Sequence, residues 1–365
     1  MLYLAQVRDV AFSDAPTSAP VGTRDTQRSQ SPVFVVGCHR SGTNLLYDTL
    51  LSAGGFAVYR GYLPIHKILI PRVGPLDKLE NRKNAVALWV RSKGFRRSGL
   101  DAQELTDRLL RDCRNGGEFI RLTMDAVSRK QNVSRWAVYD PDAALHIPRI
   151  KAEIPEALFV HIIRDGRDIA VSLNKMGGFM PFFWNRKPGN VLATAAYWEW
   201  TVRRSRQHGR QIPGDYMELH YEDLVTDPQS TLGALGEFLN HDLNYERIRQ
   251  ASLGRLRESN SSFREETAET QENPVGRWKG RLSHQEVAEL EALIGRCLEE
   301  VGYSLTIPEQ ERKRAPQHKL MRILYATLLS SKFWLKHRTP LGQFADVSAL
   351  ELDGDAAASQ SSTTA

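Results

Sequence analysis

The sequence predicts an α/β domain of three layers, a parallel sheet flanked by helices. Three observations carry this. Short, continuously apolar segments of strand length alternate with longer segments of helical period, as in a sheet buried on both faces. Two of those segments, Val33–Gly37 and Leu158–Ile163, run into glycine-containing turns and then into helices. The composition is that of an ordinary globular chain: of 365 residues, 41% are hydrophobic and 25% charged. That excludes a wholly disordered chain, a collagen-like fibre and a disulfide scaffold.

Taken in order, residues 1–31 are rich in Ser, Thr, Pro, Asp and Gln and read as a flexible arm. Val33–Gly37 (VFVVG) is a buried strand, followed by a loop and an apolar-periodic helix over Thr43–Ala53. Residues 78–130 are mostly helical. Trp136–Tyr139 is a strand, and Leu158–Ile163 (LFVHII) is the clearest strand of all, feeding a helix over Arg167–Lys175. Residues 190–209 are helical again, Tyr216–His220 (YMELH) is a strand, and Pro228–Leu239 is an amphipathic helix. Ser283 opens a further helix to Val301, because its hydroxyl can accept from a first-turn N–H. The expected division is an arm over 1–31, a core domain over 32–305, a basic amphipathic helical extension over 306–345 and a disordered tail over 346–365.

Charge is uneven along this layout. The chain carries +6, yet residues 312–338 alone hold eight Lys or Arg and no acid. The basic balance therefore belongs to one segment and does not describe a nucleic-acid-binding surface. In that segment Leu320, Ile323, Leu324, Leu328, Leu329, Phe333, Trp334 and Leu335 are interleaved with cations. Two readings stand: a C-terminal helix packed on the domain with its charged stems snorkelling, or a helix making a peripheral membrane contact. Cys38, Cys113 and Cys297 fit neither a bridge framework nor a zinc pattern, which points to a reducing compartment. No stretch approaches the roughly 20 apolar residues of a membrane span, and Arg8 and Asp9 interrupt the N-terminal apolar run. The expectation is a cytoplasmic protein.

The first chemistry-bearing motif is VFVVGCHRSGTNLL. Backbone N–H groups of the loop and of the free helix N-terminus converge, and the helix dipole favours an anion there. Arg40 and the hydroxyls of Ser41 and Thr43 add donors, and Gly42 lets the backbone approach closely. Gly37 and Gly42 have the spacing of a nucleotide P-loop, but Thr43-Asn44 stands where a lysine and a magnesium-binding hydroxyl are required. That opposes a P-loop kinase or NTPase. The second motif, LFVHIIRDGRDIAVSL, places Arg164 at the carboxyl end of a strand, where open α/β sheets bind ligands. Its planar fork suits a phosphate, with Ser172 two helical turns further on. Read alone, RDGRD favours a helix-start ion-pair cluster among Arg164, Asp165, Arg167 and Asp168, and the second anion-competent strand end shifts that balance.

Together, VGCHRSGTN and VHIIRDGRDIAVSL resemble the two signature segments of the sulfotransferases that use 3′-phosphoadenosine 5′-phosphosulfate (PAPS). LHYEDLVTDPQSTLGALGEFLN and VGRWKGRLSHQEVAELEALIGRCLEEVGY resemble that family's later segments, so the likeness spans roughly 32–305. The resemblance implies a P-loop-like fold and PAPS as donor, with no metal. It implies that Arg40, Ser41, Gly42, Thr43 and Asn44 hold the 5′-phosphosulfate and that Arg164 and Ser172 hold the 3′-phosphate. It further implies that Tyr221 lies on the adenine side and that Arg277, in GRWKG, closes over the phosphates. The polar stretch 261–274 before it reads as a lid. The implied acceptor is a hydroxyl or amine of a small molecule, saccharide or peptide, seated between variable loops such as 59–75 and 177–190.

The general base departs from the family pattern. Relatives carry Lys-Thr-His or Lys-Thr-Pro where this chain has Tyr139-Asp140-Pro141, and an acid where this chain has none over 59–66. His66, Asp140 and His146 remain as candidates, with His66 and Asp140 ahead of His146. His66 has an ordinary titration range near neutrality, whereas Asp140 needs a raised pKa to serve. A non-catalytic, membrane-associated nucleotide-binding protein is the reading that the altered base leaves open.

Overall fold

The computed structural model describes residues 27–175, 191–257, 274–312 and 316–352. The sheet has five strands: β1 (Val33–Gly37), β2 (Phe56–Ala57), β3 (Arg135–Tyr139), β4 (Leu158–Ile163) and β5 (Tyr216–His220). All pairs are parallel, in the order β2-β3-β1-β4-β5. β1 is central because it is apolar on both faces: Phe34 and Val36 point into one core and Val33 and Val35 into the other. Val33 pairs with Ala137 on one side and Leu158 on the other, so the strand ends that bear Cys38, Asp140 and Arg164 share one edge of the sheet.

Helix α1 (Thr43–Ala53) returns from β1 along one face. Between β2 and β3 run α2 (Ile70–Val73), α3 (Leu79–Val90), α4 (Lys93–Ser98), α5 (Ala102–Asp112) and α6 (Gly116–Lys130). Helix α7 (Ile147–Glu153) precedes β4, and α8 (Gly166–Lys175) and α9 (Val191–Gly209) follow it. After β5 come α10 (Tyr221–Thr226), α11 (Pro228–Leu239) and α12 (Tyr245–Ala251), then α13 (His284–Glu300) and α14 (Pro316–Arg338). Helices α1, α11 and α12 cover the Val33 face, and α3, α6 and α7 cover the Phe34 face. A third apolar cluster joins α8, α9, α13 and α14 through Ile169, Trp198, Ile294 and Leu329. Ser283 caps α13 in a reciprocal capping box with Glu286, as its position predicts.

Two features were not legible as elements. β2 is only two residues long, too short for a period, and residues 65–69 form a π-helical turn in which the Leu69 N–H donates to the Pro64 carbonyl. The segment 59–75, expected as a variable acceptor loop, is largely core: Tyr59, Ile65, Ile68 and Leu69 are buried. The arm and tail are also tied down at their inner ends. Residues 27–30 form a helical turn whose Arg28 donates to Gly214 O (3.0 Å), Leu350 is buried, and Leu352 bridges to Ser92. The rest of both termini, the second acceptor loop at 177–190 and nearly all of the expected lid lie outside the described residues.

Candidate active site at the carboxyl edge of the sheet

At the end of β1 the chain turns sharply. The Ser41 N–H and Oγ both donate to the Cys38 carbonyl, at 3.1 and 2.6 Å. Arg40 (φ 73°) and Gly42 (φ 98°) are both left-handed, which rotates the loop N–H groups inward. Gly42 is required twice over, since any β-carbon there would run into the Tyr221 ring. As the cap of α1, Gly42 makes no side-chain bond to the first turn. The N-terminal N–H groups at Thr43 and Asn44 thus keep their capacity for an anion.

Arg164, at the end of β4, reaches across this turn. Its Nη1 donates to Arg40 O (3.3 Å) and its Nη2 to Pro274 O (2.6 Å), with Asp168 Oδ2 at 3.5 Å. The guanidinium lies 4.4 Å above the Tyr221 ring, and its buried Nε has no partner among the described residues. Arg40 Nε donates to Ser172 Oγ (3.0 Å), so both motifs meet in one place. Desolvation lowers the Arg40 pKa, and the cations of Arg255, Arg164 and Arg277 lower it further. Four guanidinium groups therefore crowd one small region, an arrangement that a bound polyanion relieves.

Within RDGRD the labour is divided. Arg164 faces the site, whereas Arg167 is locked between Asp165 (2.7 Å) and Glu291 (2.6 Å) and stacks 4.1 Å over Trp278. Asp168 accepts from the N–H groups of Gly276 and Trp278, both at 2.9 Å. That clamp brings the GRWKG turn, and with it Arg277, toward the site. Arg255 is the residue that the sequence reading missed. It sits in the Gly254–Arg257 turn, where its N–H donates to Asp48 Oδ2 of α1 (2.8 Å). No spacing rule marks a lone arginine in LGRLR. Arg255 also lines a cleft of about 690 Å³ with Asn44, Tyr139, Arg60 and Arg97.

The end of β3 has a different character. The Asp140 N–H donates to Val35 O (3.2 Å), and its Oδ1 accepts from the Asp142 N–H (3.0 Å). Asp142 Oδ2 is 3.0 Å from His39 Nε2 and 2.5 Å from Lys67 Nζ. Burial opposes ionisation of Asp142, yet His39 and Lys67 hold its pKa below the usual carboxylate range. Burial and the neighbouring Asp142 charge push Asp140 the other way, far above that range. Asp140, Tyr139, Tyr59, Leu63 and His66 line a small cavity beside it. His66 itself is buried, with Nε2 at 2.8 Å from Glu153 Oε2. His146 is buried, its ring 5.9 Å from that of His66, 5.3 Å from Phe333 and 4.8 Å from His337.

A model of the sulfotransferase family matches residues 32–245. The chain belongs to the sulfotransferase family. Among solved structures, a sulfotransferase domain from the curacin biosynthetic pathway matches at 16% identity and TM-score 0.50, covering 76% of this chain and 99% of its own. Sulfotransferase STF9 from Mycobacterium avium matches at 16% identity and TM-score 0.40, covering 75% and 77%. At 16% identity the likeness to the curacin-pathway domain is one of fold, the P-loop-like sulfotransferase architecture. No curated protein matches the chain.

Proposed function

We propose that this sulfotransferase moves a sulfuryl group from PAPS, by in-line transfer, to a hydroxyl or amine of a small-molecule, saccharide or peptide acceptor. The observation that carries the reading is the buried Nε of Arg164, without a partner among the described residues, set over Tyr221 and beside the Arg40 loop. A buried guanidinium nitrogen left without an acceptor is costly, and an anion at this point would satisfy it. In this reading Arg164 and Ser172 hold the 3′-phosphate, Tyr221 borders the adenine, and the N–H groups of residues 41–44 hold the 5′-phosphate. Arg277 and Arg255 add positive charge around it. When bound, PAPS supplies a sulfuryl group attached to a stable leaving group, adenosine 3′,5′-bisphosphate. Arrays of arginine and backbone N–H can carry charge that develops on a leaving oxygen, and the magnesium-binding signature of a P-loop is replaced by Thr43-Asn44. We therefore assign no metal to the site.

Arg40 stabilises the bridging oxygen as the S–O bond breaks, and Asp140 takes the proton of the acceptor as the new bond to sulfur forms. Asp140 is favoured over His66 because its environment raises its pKa, whereas the His66 Nε2 is occupied by Glu153. The three cysteines are buried and free, which supports the cytoplasmic location assigned here. Calorimetry with adenosine 3′,5′-bisphosphate, followed by turnover of PAPS with an acceptor panel, tests the whole reading. Arg40→Ala should lower turnover more than it lowers bisphosphate affinity. Loss of affinity at unchanged turnover would make Arg40 a phosphate clamp only, and absence of bisphosphate binding would remove the donor assignment.

A further inference from the structure

We infer that the outer face of α14 is a docking surface for an anionic membrane. The inner face of this helix behaves as a packed C-terminal helix should. Tyr325 and Leu329 are buried in the third apolar cluster, Phe333 meets Trp200 at 6.2 Å, and Trp200 Nε1 donates to Ser330 Oγ (3.0 Å). That contact leaves an opposite face which is not polar. Leu320, Ile323, Leu324, Trp334 and Leu335 are all exposed, with Thr327 and Ser331 continuing the same stripe at helical spacing. Leu341 and Phe344, in the turn that follows, are exposed as well. Of nine exposed large apolar residues among the described residues, these are seven. Scattered exposed apolar residues are ordinary, but five on one face of a single helix are a patch.

The charge around the patch identifies what covers it. The helix carries no acid, and its Lys319, Lys332 and Arg338 are exposed beside the apolar row. A second copy of the chain would bring the same cations together across a two-fold axis, which opposes self-association. An anionic lipid surface matches both features at once, taking the apolar side chains into its interface and the cations at its headgroups. The 23-residue helix is about 35 Å long, so the apolar face can lie along a surface over several turns. Trp334 suits the boundary between water and acyl chains. No described helix is long and apolar enough to cross a membrane, so the contact lies in the interface plane. The inference concerns where the enzyme sits and does not depend on the donor or acceptor.

Flotation of the full-length protein with phosphatidylcholine vesicles, with and without phosphatidylserine, tests it. Wild type should float with the phosphatidylserine vesicles at low salt and detach as salt is raised. Leu324→Asp and Trp334→Asp, both at exposed positions, should each weaken partition by about tenfold or more at an unchanged thermal midpoint. Lys319→Glu should weaken it by a smaller factor, roughly fivefold. Failure of the wild type to bind anionic vesicles overturns the inference. Variants that partition like wild type overturn it too. So does an aspartate variant that changes the oligomeric state while vesicle binding stays the same, because that assigns the face to a second copy.

Discussion

At the carboxyl end of β4, guanidinium groups converge on Arg40, whereas at the end of β3 the carboxylates of Asp140 and Asp142 sit among Lys67 and His39. The two regions flank the same β1 loop and meet opposite problems. On the β4 side, one nitrogen of Arg164 is buried without an acceptor among the described residues, with Asp168 beside the guanidinium and the cations of Arg40, Arg255 and Arg277 around it. On the β3 side, the compensation is internal but unequal. Asp142 takes both Lys67 and His39 as partners and its pKa is lowered, and Asp140 inherits the raised pKa. The proposed function gives the first region a negative charge to receive and the second a proton.

The sharpest break in this comparison is Asp140→Ala. It should lower turnover by roughly 10²–10⁴, the usual range for loss of a general base, and leave adenosine 3′,5′-bisphosphate affinity intact. His66→Ala should keep turnover within about tenfold of wild type, since its Nε2 faces Glu153. Wild-type turnover in Asp140→Ala would move the base elsewhere, and a collapse in His66→Ala would hand it the role.

On the cationic side, Arg164→Ala should cost about 1.5–3 kcal/mol of bisphosphate affinity, the range for a hydrogen bond to a charged group. AMP, which lacks the 3′-phosphate, should bind almost equally to both proteins. Equal losses for the two ligands would show that Arg164 does not read the 3′-phosphate. Gly42→Ala tests the backbone of the same region. A left-handed alanine whose β-carbon meets Tyr221 should cost about 1–3 kcal/mol in stability, read as a lowered thermal midpoint, and should weaken the bisphosphate as well. A fully stable variant with wild-type affinity would mean that the loop tolerates another path.

The smallest expected effect is a pH shift. Asp140 works as a base only when ionised, so turnover should rise with pH through a midpoint above the ordinary carboxylate range. Lys67 is one of the charges that restrain that pKa, and Lys67→Met should move the midpoint further up by about one pH unit. A profile that Lys67→Met leaves in place would assign the titration to another group. Stability carries the matching sign. The raised pKa of Asp140 means that stability present at low pH is lost as pH rises through it. The lowered pKa of Asp142 means that its contribution is present above the ordinary carboxylate range and is lost as pH falls.

The order of strands and helices, and both anion-competent loops, could be read from the chain because each depends on local chemistry. VFVVG and LFVHII are buried strands by composition, and Gly42, Arg40 and Arg164 sit where the turn and the strand end require them. Side-chain partners at long range could not be read the same way. That Arg164 is the open arginine of RDGRD and Arg167 the locked one follows from Glu291, more than a hundred residues away. Arg255 joins the site only because Asp48 on α1 receives its N–H. Asp140 becomes a candidate base because β3 lies next to β1 and Asp142 captures Lys67 and His39. His66, equally plausible by residue type, is withdrawn by Glu153. Pattern and propensity are properties of neighbours along the chain, so they survive without a fold. A pKa, a hydrogen-bond partner or an exposed helix face depends on desolvation and charge at a distance of a few ångströms, which only the packed tertiary structure determines.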